Sequence, residues 1–452
     1  MNVAPRRPLF HRRSSPNLYR MFLWVTLILA FVWLIRQVEQ GRIKPLFLPT
    51  PTPTRTARSY AMEGDTHFLA GNLDAAITAY QEAIRVDPDN AEVWAKLARI
   101  QAYSSSLLTT DAQKRQRLQE ALESINRAVE LAPDDSTVHA IRAFVLDWNA
   151  NPILVGEEQA ADYLTEAEQE AVRALQLDNQ NTLALAFYAE ILVDQQKWTQ
   201  AEQYIQQAVE RDPTLMDVHR VYAYVLESLG QYNLAIQEYD KAIAIAPNLT
   251  FLYLRAGANY RRLAFEGVEP QRTALYEKSL EYFAKAARLN EQLGIEDPLP
   301  YLSIAKTYSQ QGEFFIAARN VQRAIEIDPS NPDLYGQLGI IYFKSRNYEG
   351  SIPALKCAVR GCTAEESCEG RGGCGPNDVP AEVSGLPLSP NTVVYYYTYG
   401  SVLAALSVPQ QNYCPEAMEI FAEVKASYSN DRDIMGIVQA GEQICRSLEE
   451  GQ

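Results

Sequence analysis

Cysteine is absent from the first 356 residues of this 452-residue chain, and histidine occurs only four times. No G-x-S-x-G, H-E-x-x-H or Walker sequence is present. Nucleophile elbows, zinc-peptidase helices and nucleotide phosphate loops therefore have no support. His11 sits in a basic segment, and His67, His139 and His219 fall at slots filled elsewhere by Trp94 and Tyr301, as expected of helix-packing residues. The glycine-rich run 369–374 lies among cysteines and not between a strand and a helix, so a phosphate cradle is not expected there. The expectation is a protein that is not an enzyme. No catalytic residue, cofactor, metal or small-molecule substrate is expected.

Basic residues are outnumbered by acids after residue 44. Residues 1–44 hold eight of them (Arg6, Arg7, Arg12, Arg13, Arg20, Arg36, Arg42 and Lys44) and one acid, Glu39. That segment is +7 against −15 for the whole chain, which leaves −22 on residues 45–452. Such an acidic body disfavours the displacement of phosphate counterions, so no nucleic-acid partner is expected.

Charge is also missing from Met21–Ile35, fifteen residues reading MFLWVTLILAFVWLI. As a helix they span about 22 Å, short of a ~30 Å hydrocarbon core. Leu18, Tyr19 and Val38 extend the apolar stretch. Arg20 and Arg36 can snorkel from its ends, and Trp24 and Trp33 suit the interfaces. A cleaved signal peptide is the competing reading, but no small-residue cleavage pattern follows. The expectation is a basic cytoplasmic tail (1–20), an uncleaved transmembrane signal-anchor (21–36) and a Pro/Thr-rich linker (37–56). Five arginines precede the span, which puts the N-terminus in the cytoplasm and the C-terminal body outside. The run 45–56, PLFLPTPTPTRT, favours an extended semi-rigid stalk of roughly 35–40 Å.

From residue 57 a pattern of small and large residues recurs. Its clearest copy is 216–249, with Ala223, Leu226, Gly230, Ala235, Tyr239, Ala242 and Pro247. Small residues let two antiparallel helices approach, Tyr239 fills the gap between them, and Gly230 and Pro247 end them. Copies with the same spacing occupy 57–90, 182–215 and 298–331. Stretched copies occupy 91–135, 136–181, 250–297 and about 392–430, and another begins at Pro332. This pattern resembles the tetratricopeptide repeat (TPR), whose period is 34. The resemblance implies an all-α solenoid, a superhelix of antiparallel helix pairs, with about nine repeats over 57–430. A capping helix and tail, 431–452, would cover the open end. The stretched copies are expected to extend the turns between first and second helices, so that three long loops decorate one rim.

All six cysteines lie in the last quarter, around a Cys/Gly-rich insertion at 361–391. Outside the cytoplasm they fit three disulfides. Cys414 opens the second helix of the last repeat and Cys445 closes the antiparallel capping helix, so these two are expected to pair. Cys357, Cys362, Cys368 and Cys374 allow three connectivities. Their spacing, C-x4-C-x5-C-x5-C, is not that of a zinc ribbon.

In TPR arrays the first helices line a concave groove. The resemblance implies that Arg220, Tyr224, Glu227, Leu254, Arg261, Arg262 and Lys306 line it here. These residues suit an acidic or extended peptide. The slots of the Lys/Asn carboxylate clamp of TPR chaperone adaptors hold Ala61 and Asp65 in the first repeat, so that clamp looks absent there. The reading is a membrane-anchored scaffold for protein or peptide partners. The alternatives are a chaperone-like holder of extended peptides and an accessory subunit of an enzyme complex.

Overall fold

In the computed structural model, which describes residues 17–39, 55–376 and 378–450, the chain divides into two units, Met1–Arg55 and Thr56–Gln452. The first holds the helix Leu18–Glu39, 22 residues long. It overruns the expected 21–36 at both ends, because nothing in 18–39 breaks a helix. By length and composition, Leu18–Gln37 is able to cross a membrane. At 1.5 Å per residue the helix reaches about 33 Å, enough for a ~30 Å core. Most of the expected tail and stalk, residues 1–16 and 40–54, lies outside the described residues.

The second unit contains nine helix pairs among the described residues. They run from Ala57–Leu69 with Leu73–Val86 to Val393–Leu406 with Cys414–Tyr428. A last helix, Arg432–Glu450, packs on both members of the ninth pair. The pairing follows from the small-against-large pattern. A Cβ on Gly64 would stand 2.7 Å from the ring of Tyr80, one on Gly257 2.6 Å from Phe283, and one on Gly400 2.6 Å from Phe421. The three rings are almost fully buried in the space left by the absent side chains, and buried aromatics dominate such cores. Turns between repeats are set by Asn and Asp caps. Asn90 Oδ1 accepts from Val93 N at 3.2 Å and Asn181 Oδ1 from Ala184 N at 3.1 Å, each satisfying a free donor at a helix start.

The stretched repeats extend their turns only in part, to 106–110, to 150–156 around a short helix Pro152–Val155 and to 267–270, against 229–231 in a regular copy. Their second helices are also longer, 21 residues in Asp111–Leu131 and in Glu157–Leu177 and 23 in Gln271–Leu293, against 14 in Tyr232–Ile245. Ser104, Ser105, Trp148, Asn149, Phe265 and Glu266 all lie inside first helices. The Ala-, Gln- and Glu-rich segments favour helix over loop.

The array also closes on itself. Asn248 Nδ2 donates to Leu69 O at 3.2 Å, and Asn331 Nδ2 to Thr109 Oγ1 at 2.6 Å. Asn391 Nδ2 donates to Asp111 Oδ1 at 2.8 Å. The rim residues Thr109 and Asp111 are thus tied to later repeats.

The Cys-rich insertion contains a short helix, Ala364–Gly370, and two-residue antiparallel strands, Gly361–Cys362 and Val383–Ser384, with Gly361 opposite Ser384. The disulfides join Cys357 to Cys362, Cys368 to Cys374, and Cys414 to Cys445.

Candidate functional site

First helices Ala91–Ser105, Ser136–Asn149, Thr182–Asp194 and Met216–Ser228 pack in succession. The winding also brings the first of these against the last. Arg99 and Tyr103, one turn apart, both donate to the Asp217 carboxylate, Arg99 Nε to Oδ1 at 3.1 Å. Tyr103 stacks on Phe251, 5.3 Å between ring centroids. Arg220, one turn beyond Asp217, donates twice to Glu190, at 2.8 and 2.6 Å, and its Nε donates to the Tyr103 hydroxyl at 3.2 Å. Its guanidinium lies 5.3, 5.5 and 5.9 Å from the rings of Tyr103, Phe144 and Trp148. Trp148 Nε1 completes the set by donating to Glu190 at 3.1 Å. A charged group with only 6% exposure is thereby satisfied on every side.

Beside this network lies a cavity of about 670 Å³, bordered by Lys114, Asp147, Trp148, Asp194, Tyr224, Leu254 and Arg255 among others. Three of the sequence-predicted groove residues, Arg220, Tyr224 and Leu254, border it. Tyr224 donates to Asp194 at 2.5 Å. Glu227 accepts from Arg255 at 3.0 Å, Asn259 at 3.1 Å and Tyr239 at 3.1 Å. Burial pushes the Asp147 carboxyl well above the usual carboxylate range, and the neighbouring Asp194 and Glu190 add to it. Asp194 is raised too, again chiefly by burial, with the Tyr224 hydrogen bond opposing.

A second hollow, about 270 Å³, is bordered by Arg261, Lys306, Gln337 and Lys344. Arg261 Nη1 donates to Ser303 O at 3.1 Å, and its guanidinium stands 5.4 Å from the Phe283 ring. Burial holds that guanidinium below its ordinary pKa. Enclosure lowers the Lys306 ammonium, Asp333 partly offsets this, and Arg261 and Lys114 lower it further. Among the described residues no carboxylate forms an ion pair with Arg261 or Lys306. Arg262 is exposed, bonded to Glu266 at 2.7 Å, and meets Arg261 only at a separate hollow with Phe265 and Gln310.

The seven expected residues therefore divide. Arg220 and Glu227 serve the internal network, Tyr224 and Leu254 face the first cavity, Arg261 and Lys306 meet at the second, and Arg262 joins neither. Asp147, Glu190 and Asp194 escaped the sequence reading. Their one legible signal was acid in the last turns of otherwise apolar helices, FVLDWN and EILVD, where the helix dipole disfavours it. Two histidines pack as expected: His139 bonds Glu170 at 2.5 Å and Pro133 O at 2.8 Å, and His219 bonds Glu238 at 2.7 Å and Pro213 O at 2.9 Å. The spacing G-x-G-x-x-G does occur at 370–375, but it follows the helix Ala364–Gly370 and encloses the bonded Cys374, unlike a dinucleotide turn.

Family models match three stretches: "TPR repeat" at residues 64–102, and "Tetratricopeptide repeat" at 188–250 and at 321–352. A DnaJ homolog subfamily C member 3 homolog of Dictyostelium discoideum is 28% identical over 170 residues, 37% of this chain and 32% of the relative. The match thus spans about a third of that curated relative's length. The structure of human IFIT1, a dimer with PPP-AAAA, is similar over 88% of this chain and 92% of its own, with a TM-score of 0.51 at 14% identity. TTC0263, a thermophilic TPR protein of Thermus thermophilus, matches 45% of this chain and 98% of its own, with a TM-score of 0.37 at 19% identity.

Proposed function

We propose that this chain, a tetratricopeptide-repeat protein, is a membrane-anchored scaffold whose array holds an acidic, extended segment of a protein partner outside the cytoplasm. Repeats of this kind support protein–protein interaction. The observation that carries the reading is the second hollow. In a chain of net charge −15, Arg261 and Lys306 converge there, and among the described residues neither forms an ion pair, Asp333 acting on Lys306 only from beyond ion-pairing distance. Two enclosed cations can each donate charge-assisted hydrogen bonds to carboxylates, and neither has to leave an internal ion pair to do so. Anchoring through Leu18–Gln37 is supported by the length of that helix, and the outward orientation by the arginines before it. The three disulfides, with no free cysteine among the described residues, suit an oxidising compartment. We assign the protein no catalytic role.

Cross-linking in intact cells, mild-detergent purification and mass spectrometry test the reading. The expected result is a few partners in near-stoichiometric amounts, lost from an Arg261→Glu/Lys306→Glu variant whose thermal unfolding is unchanged. A broad, substoichiometric set of unrelated proteins would instead mean a holder of extended peptides and would overturn the scaffold.

A further inference from the structure

The first cavity sets two carboxyls against each other, and among the described residues no basic group forms an ion pair with either. Its acids are Asp147, Glu190 and Asp194, and its bases are Lys114, Arg220 and Arg255. Arg220 is committed to Glu190 and Arg255 to Glu227. Lys114 also lines the wall but forms no ion pair with either remaining acid among the described residues. Asp147 and Asp194 remain, set against each other. Asp147 is 5% exposed, its carboxyl meets only that of Asp194, and its Oδ1 has no hydrogen-bond donor. Buried polar atoms in that condition are uncommon and call for an explanation. Asp194 is exposed on the cavity wall and accepts from Tyr224. Both acids sit at helix ends where the dipole opposes them, so helix stability does not account for their presence.

The rest of the wall is amphipathic. Trp148 and Tyr224 offer aromatic surface, which attracts cations. Pro152, Leu154 and Leu254 offer apolar surface, against which a methylene chain packs. An ammonium brings three donors to this wall and no acceptor. Among the described residues no group of three His, Cys, Asp or Glu is arranged to hold a metal ion.

We propose that this cavity binds a primary ammonium group on an aliphatic chain, with Asp147 and Asp194 accepting its hydrogens and Trp148 and Leu254 covering its methylenes. A lysine side chain of a partner segment and a free diamine both present that chemistry. The site is distinct from the hollow at Arg261 and Lys306, so either proposal can fail without the other.

Isothermal titration of the full-length protein in detergent provides the test, with cadaverine, an unstructured lysine-containing peptide, its norleucine counterpart and calcium as separate titrants. Binding of cadaverine, or of the lysine peptide but not the norleucine one, is expected, and which of them binds identifies the source of the amine. Affinity should fall about tenfold or more in Asp147→Asn and in Asp194→Asn. Wild type titrated in two buffers of different ionisation enthalpy should release protons on binding, a readout that does not depend on either variant folding. The charged and titratable groups sharing the cavity with the pair are Lys114, Glu190, Arg220, Tyr224, Tyr239 and Arg255, and of these Glu190 with Arg220, and Arg255 with Glu227, remain paired throughout. Failure of both amine titrants to bind, binding without proton release, or calcium binding lost in the same variants would overturn the proposal.

Discussion

Replacing Arg220 by Ala separates two roles open to the same side chain. A groove residue that touches only a partner can be removed without loss of stability. Arg220 is instead 6% exposed, doubly bonded to Glu190, bonded to Tyr103 and set among three rings. Its removal leaves Glu190, 4% exposed, as an uncompensated buried charge. Breaking one half of such a pair costs about 3–5 kcal/mol. For a body of this size that lowers the unfolding midpoint by roughly 4–6 °C. Circular dichroism during heating of the detergent-purified chain measures the shift. An Arg220→Met/Glu190→Met double variant should recover most of the loss, because paired removal leaves no orphan charge. An Arg220→Ala midpoint within about 2 °C of wild type would refute the reasoning.

Asp297 should behave in the opposite sense to a salt-bridged acid. Burial pushes its carboxyl up to about 6, whereas the unfolded chain titrates near about 3.9. Between those values the folded state binds more protons, so stability falls as pH rises from about 4 to about 6, by roughly 3 kcal/mol in all. Asp297→Asn should remove that slope and stabilise the protein at pH 7, since the new amide can donate to the unpartnered Asn290 Oδ1. Urea titrations at pH 4, 5 and 7 report it. Gly71→Ala should loosen the first repeat. Gly71 has φ +84°, and an added Cβ would lie 2.1 Å from Asn248 O. The backbone alone costs about 1–2 kcal/mol, and hydrogen exchange should quicken in both 57–86 and 247–252. Cys414→Ser/Cys445→Ser removes a bond between residues 31 apart and should cost about 2–5 kcal/mol, read as a lowered unfolding midpoint that reducing agent shifts less than that of wild type, the other two disulfides remaining.

The helix pairs were legible because their signal is local. Gly64 and Tyr80, or Gly257 and Phe283, lie within a single repeat, and the space a Cβ would fill follows from their helical spacing. The interior was not legible. Arg99 meets Asp217 across 118 residues, and Asn331 meets Thr109 across 222. Those meetings depend on the superhelical pitch, which accumulates from small rotations between pairs that no single repeat encodes. Arg220 therefore read as a surface cation when it is an internal one. The stretched repeats misled for a related reason. Extra residues announce a longer segment, but the choice between loop and helix was made by the composition of each second helix.

A repeat array whose units touch only their neighbours can gain or lose a unit and still fold. The tie from Asn248 to Leu69 makes this array behave like a ring with a fixed circumference. Five helix pairs lie from Ala57–Leu69 through Tyr232–Ile245. Adding or removing one would displace Asn248 from Gly71, Asp217 from Arg99 and Phe251 from Tyr103 together. Point changes on the outer surface remain open to such a chain, but duplication of a single repeat, the usual route by which solenoids change length, is closed to it between residues 69 and 248.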